Sequence, residues 1–553
     1  MSALVKRNRF AVLCGVWLCV AGVQAADAPH FDLARIRESI RTLSSDEFDG
    51  RAPASIGEQR TIDYLVAQFK RMGLQPANHG SYVQTVPMVE ITPATDAVLT
   101  ISGAGAAQQF QIGNDVVLTT AHPQTTVSLK DSELVFAGYG IVAPEYQWND
   151  YAGLDVHGKT VIVLVNDPGY ATDDPALFHG KAMTYYGRWT YKYEEAARQG
   201  ASGVLIVHDE GPAGYPWEVV RSGWTGPADE LQASAGNRPQ IQGWLSHEAA
   251  AKLISAAGQD LAALSGAATQ RGFKAVELHR AASVILRNQV REVVSHNVVA
   301  MVKGTRRPGE VLVYSAHWDH FGEKPGPGGK PQIFHGAVDN ATGVAGLLAL
   351  AGKFAAGRPA PARSLLFVAT TAEEQGLLGS AYYAAHPLFP LASTVANLNM
   401  DEMDTFGATR DLTVRGQFMS TLDELVRREA ATLGLKLLPD ADPSKGYYFR
   451  ADHFEFAKQG VPALSVYWGT DYVGHPPGWG LIQQQTYTDQ HYHKPLDVYD
   501  AAWNLDGMEQ QLQVLYLTGR ELADGDAWPE WNADSPFRAA RAAQRPADRQ
   551  AAP

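Results

Sequence analysis

After residue 25 the 553-residue chain has no cysteine, because its only two, Cys14 and Cys19, sit near the start. The rest of the chain therefore cannot form a disulfide, and any metal site in it must be built from histidine and carboxylate. Positive charge is also scarce. The formal net charge is −13, which argues against nucleic acid as a partner. Beyond the N-terminal segment no apolar run approaches the length of a membrane span. A Gly-x-Ser-x-Gly elbow and a phosphate-cradling glycine loop are both missing, so serine-hydrolase and nucleotide chemistry lack support. No internal repeat is evident.

The N-terminal segment has the makings of a secretory signal. Lys6, Arg7 and Arg9 precede the apolar stretch Phe10 to Val20, and Val23-Gln24-Ala25 offers a small-x-small cleavage site. Neither cysteine follows a small residue as a lipoprotein site requires, which favours a free protein without a stable membrane anchor. Cleavage would remove three cations and no anion, taking the formal charge to −16. The expected location is the periplasm or the medium.

The length calls for two domains plus appendages. From Phe31 to Ala77 the apolar spacing is helical, with a loop at Ser44 to Pro53. Short alternating runs broken by glycine follow, and the stretch 125–280 reads as a separate β-rich domain, interrupting another domain composed of 26–124 and 281–525. In the latter, strand-like Val298 to Val302, Val311 to Ala316, Ser364 to Ala369, Thr394 to Leu398 and Ala463 to Tyr467 alternate with helical stretches at Gly343 to Phe354 and Met419 to Leu433. The implied fold class is α/β. Residues 526–553, rich in Ala, Arg and Pro, read as a disordered tail.

Chemistry concentrates where these strands should end, the edge at which open α/β sheets bind ligands. Glu373 and Glu374 follow the apolar Ser364 to Ala369 run. Two adjacent carboxylates repel and shift each other's pKa, so the pair persists most readily if a cation or a proton-transfer role separates their tasks. His317-Trp318-Asp319-His320, Gly336-Ala337-Val338-Asp339-Asn340 and Asn399-Met400-Asp401 occupy equivalent positions, and Tyr492-His493 supplies a further imidazole. The emerging ligand set is His317, Asp339, Glu374, Asp401 and His493. Imidazole plus carboxylate without thiolate suits zinc, with cobalt or manganese as alternatives. Five ligands serve two ions if one carboxylate bridges. Three carboxylates against two divalent ions leave one net positive charge and open coordination positions, the catalytic pattern rather than the structural one. Glu373, beside a ligand but free, is the candidate general base.

In order and combination these motifs, with Glu373-Glu374-Gln375-Gly376-Leu377-Leu378-Gly379-Ser380, resemble the co-catalytic di-zinc aminopeptidase family, whose relatives include glutamate carboxypeptidase II. The resemblance extends to Leu43 to Pro53 and Gly57 to Pro76. Phe136 to Ile141 and Gly200 to Ile206 look like the protease-associated domain inserted in many members. It implies a three-layer αβα peptidase domain with a central mixed sheet, peptide substrates and two zinc ions per chain. Asp339 would bridge them, with His317 and Asp401 on one ion and Glu374 and His493 on the other. It further implies that Asp319 hydrogen-bonds the His317 imidazole, that Tyr492 donates to the oxyanion, and that the Asp339–Asn340 peptide is cis. Phe449 to His453 is similar to a family segment in which Arg450 would contact substrate; an ion pair with Asp452 or another neighbour is the competing role.

Singly, each of these residues could be a cap or a solvated carboxylate; five motifs in one order could not. His320 and His335 read as loop or supporting groups, and His453, His475 and His491 as rivals of His493 that lack its Tyr-His-x-Pro context. Tyr185, Tyr186, Trp189, Tyr191, Trp217 and Trp224 read mainly as core. The reading is a secreted or periplasmic zinc aminopeptidase. A glutamate-releasing carboxypeptidase, a single-zinc glutaminyl cyclase and a non-catalytic receptor module are the alternatives.

Overall fold

A single strand of 27 residues, Val276–Val302, runs through two bodies of the molecule and joins them. The computed structural model describes residues 28–232 and 238–545; the proposed signal segment lies outside these. Among the described residues no helix is long and apolar enough to cross a membrane.

In the first body the sheet strands are β1 (Val83–Pro93), β2 (Val276–Val302), β3 (Arg307–His317), β4 (Arg363–Thr370), β5 (Thr394–Asn399), β6 (Asp411–Arg415) and β7 (Ala463–Tyr467). Their spatial order is β1, β2, β4, β3, β5, β7, β6. The pairings β4–β3, β3–β5 and β5–β7 are parallel, and β1–β2, β2–β4 and β7–β6 are antiparallel. Parallel strands of this kind are covered on both faces and need continuous apolar runs. β3 follows that rule. Leu312, Tyr314 and Ala316 enter one core with the helices Leu33–Leu43, Gly343–Ala356 and Asp506–Asp524, while Val311 and Val313 enter another with Tyr383, Phe454 and Phe456. The result is a three-layer α/β arrangement around a mixed sheet.

Register fixes the site. His317 lies opposite Thr370, and Ser315 opposite Asn399. The carboxyl ends of β3, β4 and β5 are thus level, and the residues just beyond them converge.

The second body has its own apolar clusters, spanning Ala97 to Leu286. Strands Thr160–Leu164, Gly203–Val207 and Ile241–Leu245 pair in parallel within it. The expected boundaries of 125 and 280 need correcting: Ala97, Leu99, Ile101 and Phe110 already belong to this core, as do Val284 and Leu286. The upstream boundary was hidden by glycine-broken strands, and the downstream one by falling inside β2, whose first half pairs with Thr126–Phe136 and whose second half pairs with β1. Tyr185 packs between the bodies, 5.4 Å from the ring centre of Phe454 and 5.6 Å from that of Phe537, and Lys458 pairs with Glu194 at 2.8 Å.

The expectation of a disordered 526–553 is also corrected over 526–545. Trp531 and Phe537 are buried, the helix Arg538–Gln544 follows, and Arg541 donates to the carbonyls of Leu391 and Thr394. Two aromatics and one buried guanidinium anchor a segment whose average composition is polar; residues 546–553 lie outside the described chain.

Candidate metal centre

β4 ends at Thr370, and Ala372 then adopts a left-handed backbone (φ 52°), which breaks the strand before Glu373. The amides of Gly376 and Leu377 both donate to the Glu373 carbonyl at 2.9 Å, closing the turn that leads into the helix Leu378–Ala385. This turn is pinned from β3: the carboxylate of Asp319 accepts from the amides of Glu373 at 3.1 Å and Glu374 at 3.4 Å. The role expected for Asp319 is therefore revised. His317 Nδ1 lies 3.1 Å from the Asp319 backbone carbonyl and 3.8 Å from its carboxylate, so the carbonyl fixes the imidazole and the side chain fixes the Glu373–Glu374 turn.

The structure brings His317, Asp339, Glu374, Asp401 and His493 together. Nε2 of His317 is 3.2 Å from Asp339 Oδ1 and 3.2 Å from Asp401 Oδ1. Nε2 of His493 is 3.2 Å from Asp339 Oδ2 and 3.1 Å from Glu374 Oε2. Asp339 thus turns one oxygen to each histidine–carboxylate pair, and its peptide bond to Asn340 is cis. Donors about 2.0–2.1 Å from a tetrahedral ion stand roughly 3.3 Å from one another. The observed separations and the sulfur-free donor set both fit zinc.

The loops carrying these ligands are clamped from outside. Asp497 accepts the amides of Val338 at 2.9 Å and Asp339 at 3.0 Å. Fully buried Arg51 donates to the carbonyls of Trp318, Leu43, His335 and Gly336. His320, read from sequence as a supporting group, comes closer than that. Its Nδ1 is 2.5 Å from Glu374 Oε1, and with Asp339 and Glu374 it forms a triad of donors within 4.8 Å of one another. Arg51 and Asp497 were not assigned from sequence, although they stand inside the Leu43 to Pro53 and Tyr492 to Asp497 motifs.

Electrostatically the cluster is short of positive charge. Burial raises the pKa of Glu373 well above the usual carboxylate range, and Asp401, Glu374 and Asp452 raise it further against the pull of His317. Burial also raises Asp319 to about 8. Burial opposes protonation of His493, but Glu374 and Asp339 outweigh it and push the imidazole up to about 10. For Glu374, burial is outweighed by His493 and His320, which hold it at about 2. Protonated histidines thus balance the buried carboxylates, a task that bound cations would take over.

Glu373 offers an oxygen within 4.8 Å of donors on His317 and Glu374. Tyr492 is partly exposed, its ring stacked 3.8 Å from that of His493. Arg450 is exposed, its guanidinium 5.4 Å from the Tyr447 ring centre. The ion pair considered for it with Asp452 does not form among the described residues; Asp452 is buried and accepts from Thr370 Oγ1. His453 is buried against Tyr448, and His475 and His491 stack on Trp479 and Tyr487, so none of the three rivals replaces His493.

An α/β sheet with a histidine–carboxylate cluster at its parallel strand ends defines the class: a protein with donors suited to metal at the rim of the sheet. Residues 297–516 match the model of Peptidase family M28. Local sequence similarity links the chain to a probable zinc metalloprotease of Pyricularia oryzae, 42% identical over 96 residues, which are 16% of this chain and 17% of that protein. It also links it to the aminopeptidase NAALADL1 of Mus musculus, 31% identical over 123 residues, 21% of this chain and 15% of that protein. The chain therefore spans about a sixth of the length of these relatives. Among solved structures, an aminopeptidase from Aneurinibacillus sp. strain AM-1 superposes with a TM-score of 0.47 at 20% identity, over 90% of this chain and 95% of its own. A zinc aminopeptidase from Bacillus subtilis does so with a TM-score of 0.42 at 19% identity, over 91% and 98%.

Proposed function

We propose that this protein is a secreted or periplasmic zinc aminopeptidase that removes N-terminal residues from peptides with two zinc ions held by His317, Asp339, Glu374, Asp401 and His493. The observation that carries the reading is the division of Asp339, one oxygen to His317 and Asp401 and the other to His493 and Glu374, with Glu373 left free beside them. Bound zinc would polarise the scissile carbonyl and lower the pKa of a water to about 7. Glu373 accepts the proton of the attacking water and returns it to the leaving amine as the C–N bond breaks. Asp319 holds Glu373 in place through its backbone amide, and Tyr492, beside His493, donates to the oxyanion. The second body is read as a protease-associated domain.

The test compares a free-amino peptide amide with an N-acetylated peptide bearing a free carboxylate. An aminopeptidase cleaves the first and rejects the second; the reverse pattern would establish a carboxypeptidase and overturn the reading. Glu373→Gln should bind zinc normally and lose turnover by at least about 100-fold. Full activity in that variant would remove Glu373 from the mechanism.

A further inference from the structure

Most of the carboxylates bordering the five-donor cluster are committed. Asp319 holds the amides of Glu373 and Glu374, and Asp497 those of Val338 and Asp339. Asp452 accepts from Thr370 Oγ1 through one oxygen, and its other oxygen is sealed from solvent without a partner among the described residues. Asp404, fully buried, accepts from Tyr472 Oη at 2.7 Å and from the Phe406 amide at 2.8 Å. Glu402 differs from these in keeping an unpaired oxygen on a side chain that still reaches solvent. Its Oε2 accepts from Tyr467 Oη at 2.8 Å, and its Oε1 accepts no hydrogen bond among the described residues. The side chain is about one-tenth exposed.

Glu402 directly follows Asp401, and its backbone is left-handed (φ 53°). That conformation is uncommon for a residue with a side chain and marks a position held by its surroundings. What holds it is visible. The Asn340 side chain accepts from the Glu402 amide, and Trp468 Nε1 donates to its carbonyl. Arg415 lies 3.7 Å from the Tyr467 ring centre, with its guanidinium 3.8 Å from Oε2, too far for a hydrogen bond but near enough to balance the charge. Asp339, Asp401 and Tyr492 all lie within electrostatic reach of the Glu402 carboxylate. A nearly buried carboxylate with one oxygen anchored and the other free, beside the ligand set, is arranged to meet a cation.

The chemistry of the proposed reaction supplies one. A peptide N-terminus has a pKa of about 7.7–8.0 and is largely protonated at neutral pH. Two divalent ions on three ligand carboxylates leave the centre net positive, so it repels an ammonium group unless an anion faces that group. We propose that Glu402, oriented by Tyr467 and backed by Arg415, binds the α-ammonium of the peptide substrate and so selects a free N-terminus. The proposal rests on the aminopeptidase reading.

The test is steady-state kinetics of the zinc-loaded full chain on a free-amino dipeptide amide and on its des-amino analogue, in which hydrogen replaces the α-ammonium. Zinc content is measured for every variant. Glu402→Gln should raise KM for the free-amino substrate about 10- to 100-fold, with a smaller change in kcat, unchanged zinc content and no loss on the des-amino analogue. Tyr467→Phe, which removes one hydroxyl from a packed ring, should move KM in the same direction by less, and it carries the test if Glu402→Gln does not fold. Wild-type KM for the free-amino substrate in a zinc-loaded Glu402→Gln, or failing that in Tyr467→Phe, overturns the proposal and leaves the aminopeptidase reading standing. If the wild-type protein itself ignores free-amino substrates and cleaves N-acetylated ones, both fall.

Discussion

Replacing Arg51 by methionine isolates the link between the fold and the metal centre. The guanidinium is fully buried, and burial lowers its pKa to about 10, with Asp497, Asp339, Asp319 and Glu374 acting in the opposite direction, so it is charged at neutral pH. Its nitrogens reach the carbonyl oxygens of Leu43 and His335 at 2.6 Å, Gly336 at 2.8 Å and Trp318 at 2.9 Å. Three of these residues adjoin ligand loops: Trp318 follows His317, and His335 and Gly336 lead into Asp339. Methionine keeps the apolar stem and removes every donor. Gly336 retains the amide of Ala341 as a donor, so three oxygens are left to carry most of the loss. At about 1 kcal/mol or somewhat more for each acceptor left unmade, the expected destabilisation is roughly 3–5 kcal/mol.

The consequence that separates this residue from an ordinary core arginine is its effect on metal affinity. Supporting contacts of this kind are worth about 10- to 100-fold in metal binding, so Arg51→Met should bind zinc more weakly even under conditions where it is fully folded. Urea unfolding of the zinc-free protein measures the first effect, and competition with a chelator at low urea measures the second. A variant whose unfolding midpoint and zinc affinity both match the wild type would refute the clamp.

Burial, aided by the nearby positive charge of Arg415, holds the His453 imidazole at about 3. A folded pKa below the unfolded value gives stability that is present above pH 6.5 and is lost as pH falls toward 3, at up to roughly 1.4 kcal/mol per pH unit; His453→Leu should flatten the urea-unfolding stability profile in that window relative to wild type. Phe537→Ala removes a buried ring packed against Phe454, Tyr185 and Trp531 and should cost about 3–5 kcal/mol in chemical denaturation, whereas a disordered tail would give no change. Zinc binding to the apo protein should release about two protons near pH 7, because His317 and His493 are protonated before the metal arrives; calorimetry in buffers of different ionisation enthalpy reads this number, and binding without proton release would contradict the charge balance described for the cluster.

The residues legible from sequence alone are those whose chemistry is carried by side chains at strand ends. Apolar runs locate β3, β4 and β5, and an acid or imidazole just past each run needs no knowledge of register to be singled out. Register then converts three separate motifs into one site, because His317 is level with Thr370 and Ser315 with Asn399. What sequence could not show is which part of a residue acts. Asp319 was expected to work on His317 through its carboxylate, yet the carbonyl makes that contact and the carboxylate binds two amides a strand away; both options have the same sequence.

The same limit explains Arg51, Asp497 and Glu402. An arginine whose partners are four main-chain carbonyls leaves no complementary side chain to find, and an aspartate that caps a loop 158 residues away looks like any solvated acid. Glu402 follows a ligand and precedes a buried methionine, so its most economical reading is an ordinary strand-end charge. Only packing reveals that its acidic neighbours are engaged or sealed from solvent while it keeps an accessible oxygen free. The ligands can be inferred one at a time from local pattern, whereas the groups that orient them or meet the substrate are identified by what else is satisfied. Mutations at Arg51, Asp497 and Glu402 should therefore divide by readout, the first two altering metal affinity and stability, the last altering KM more than kcat and leaving metal content unchanged.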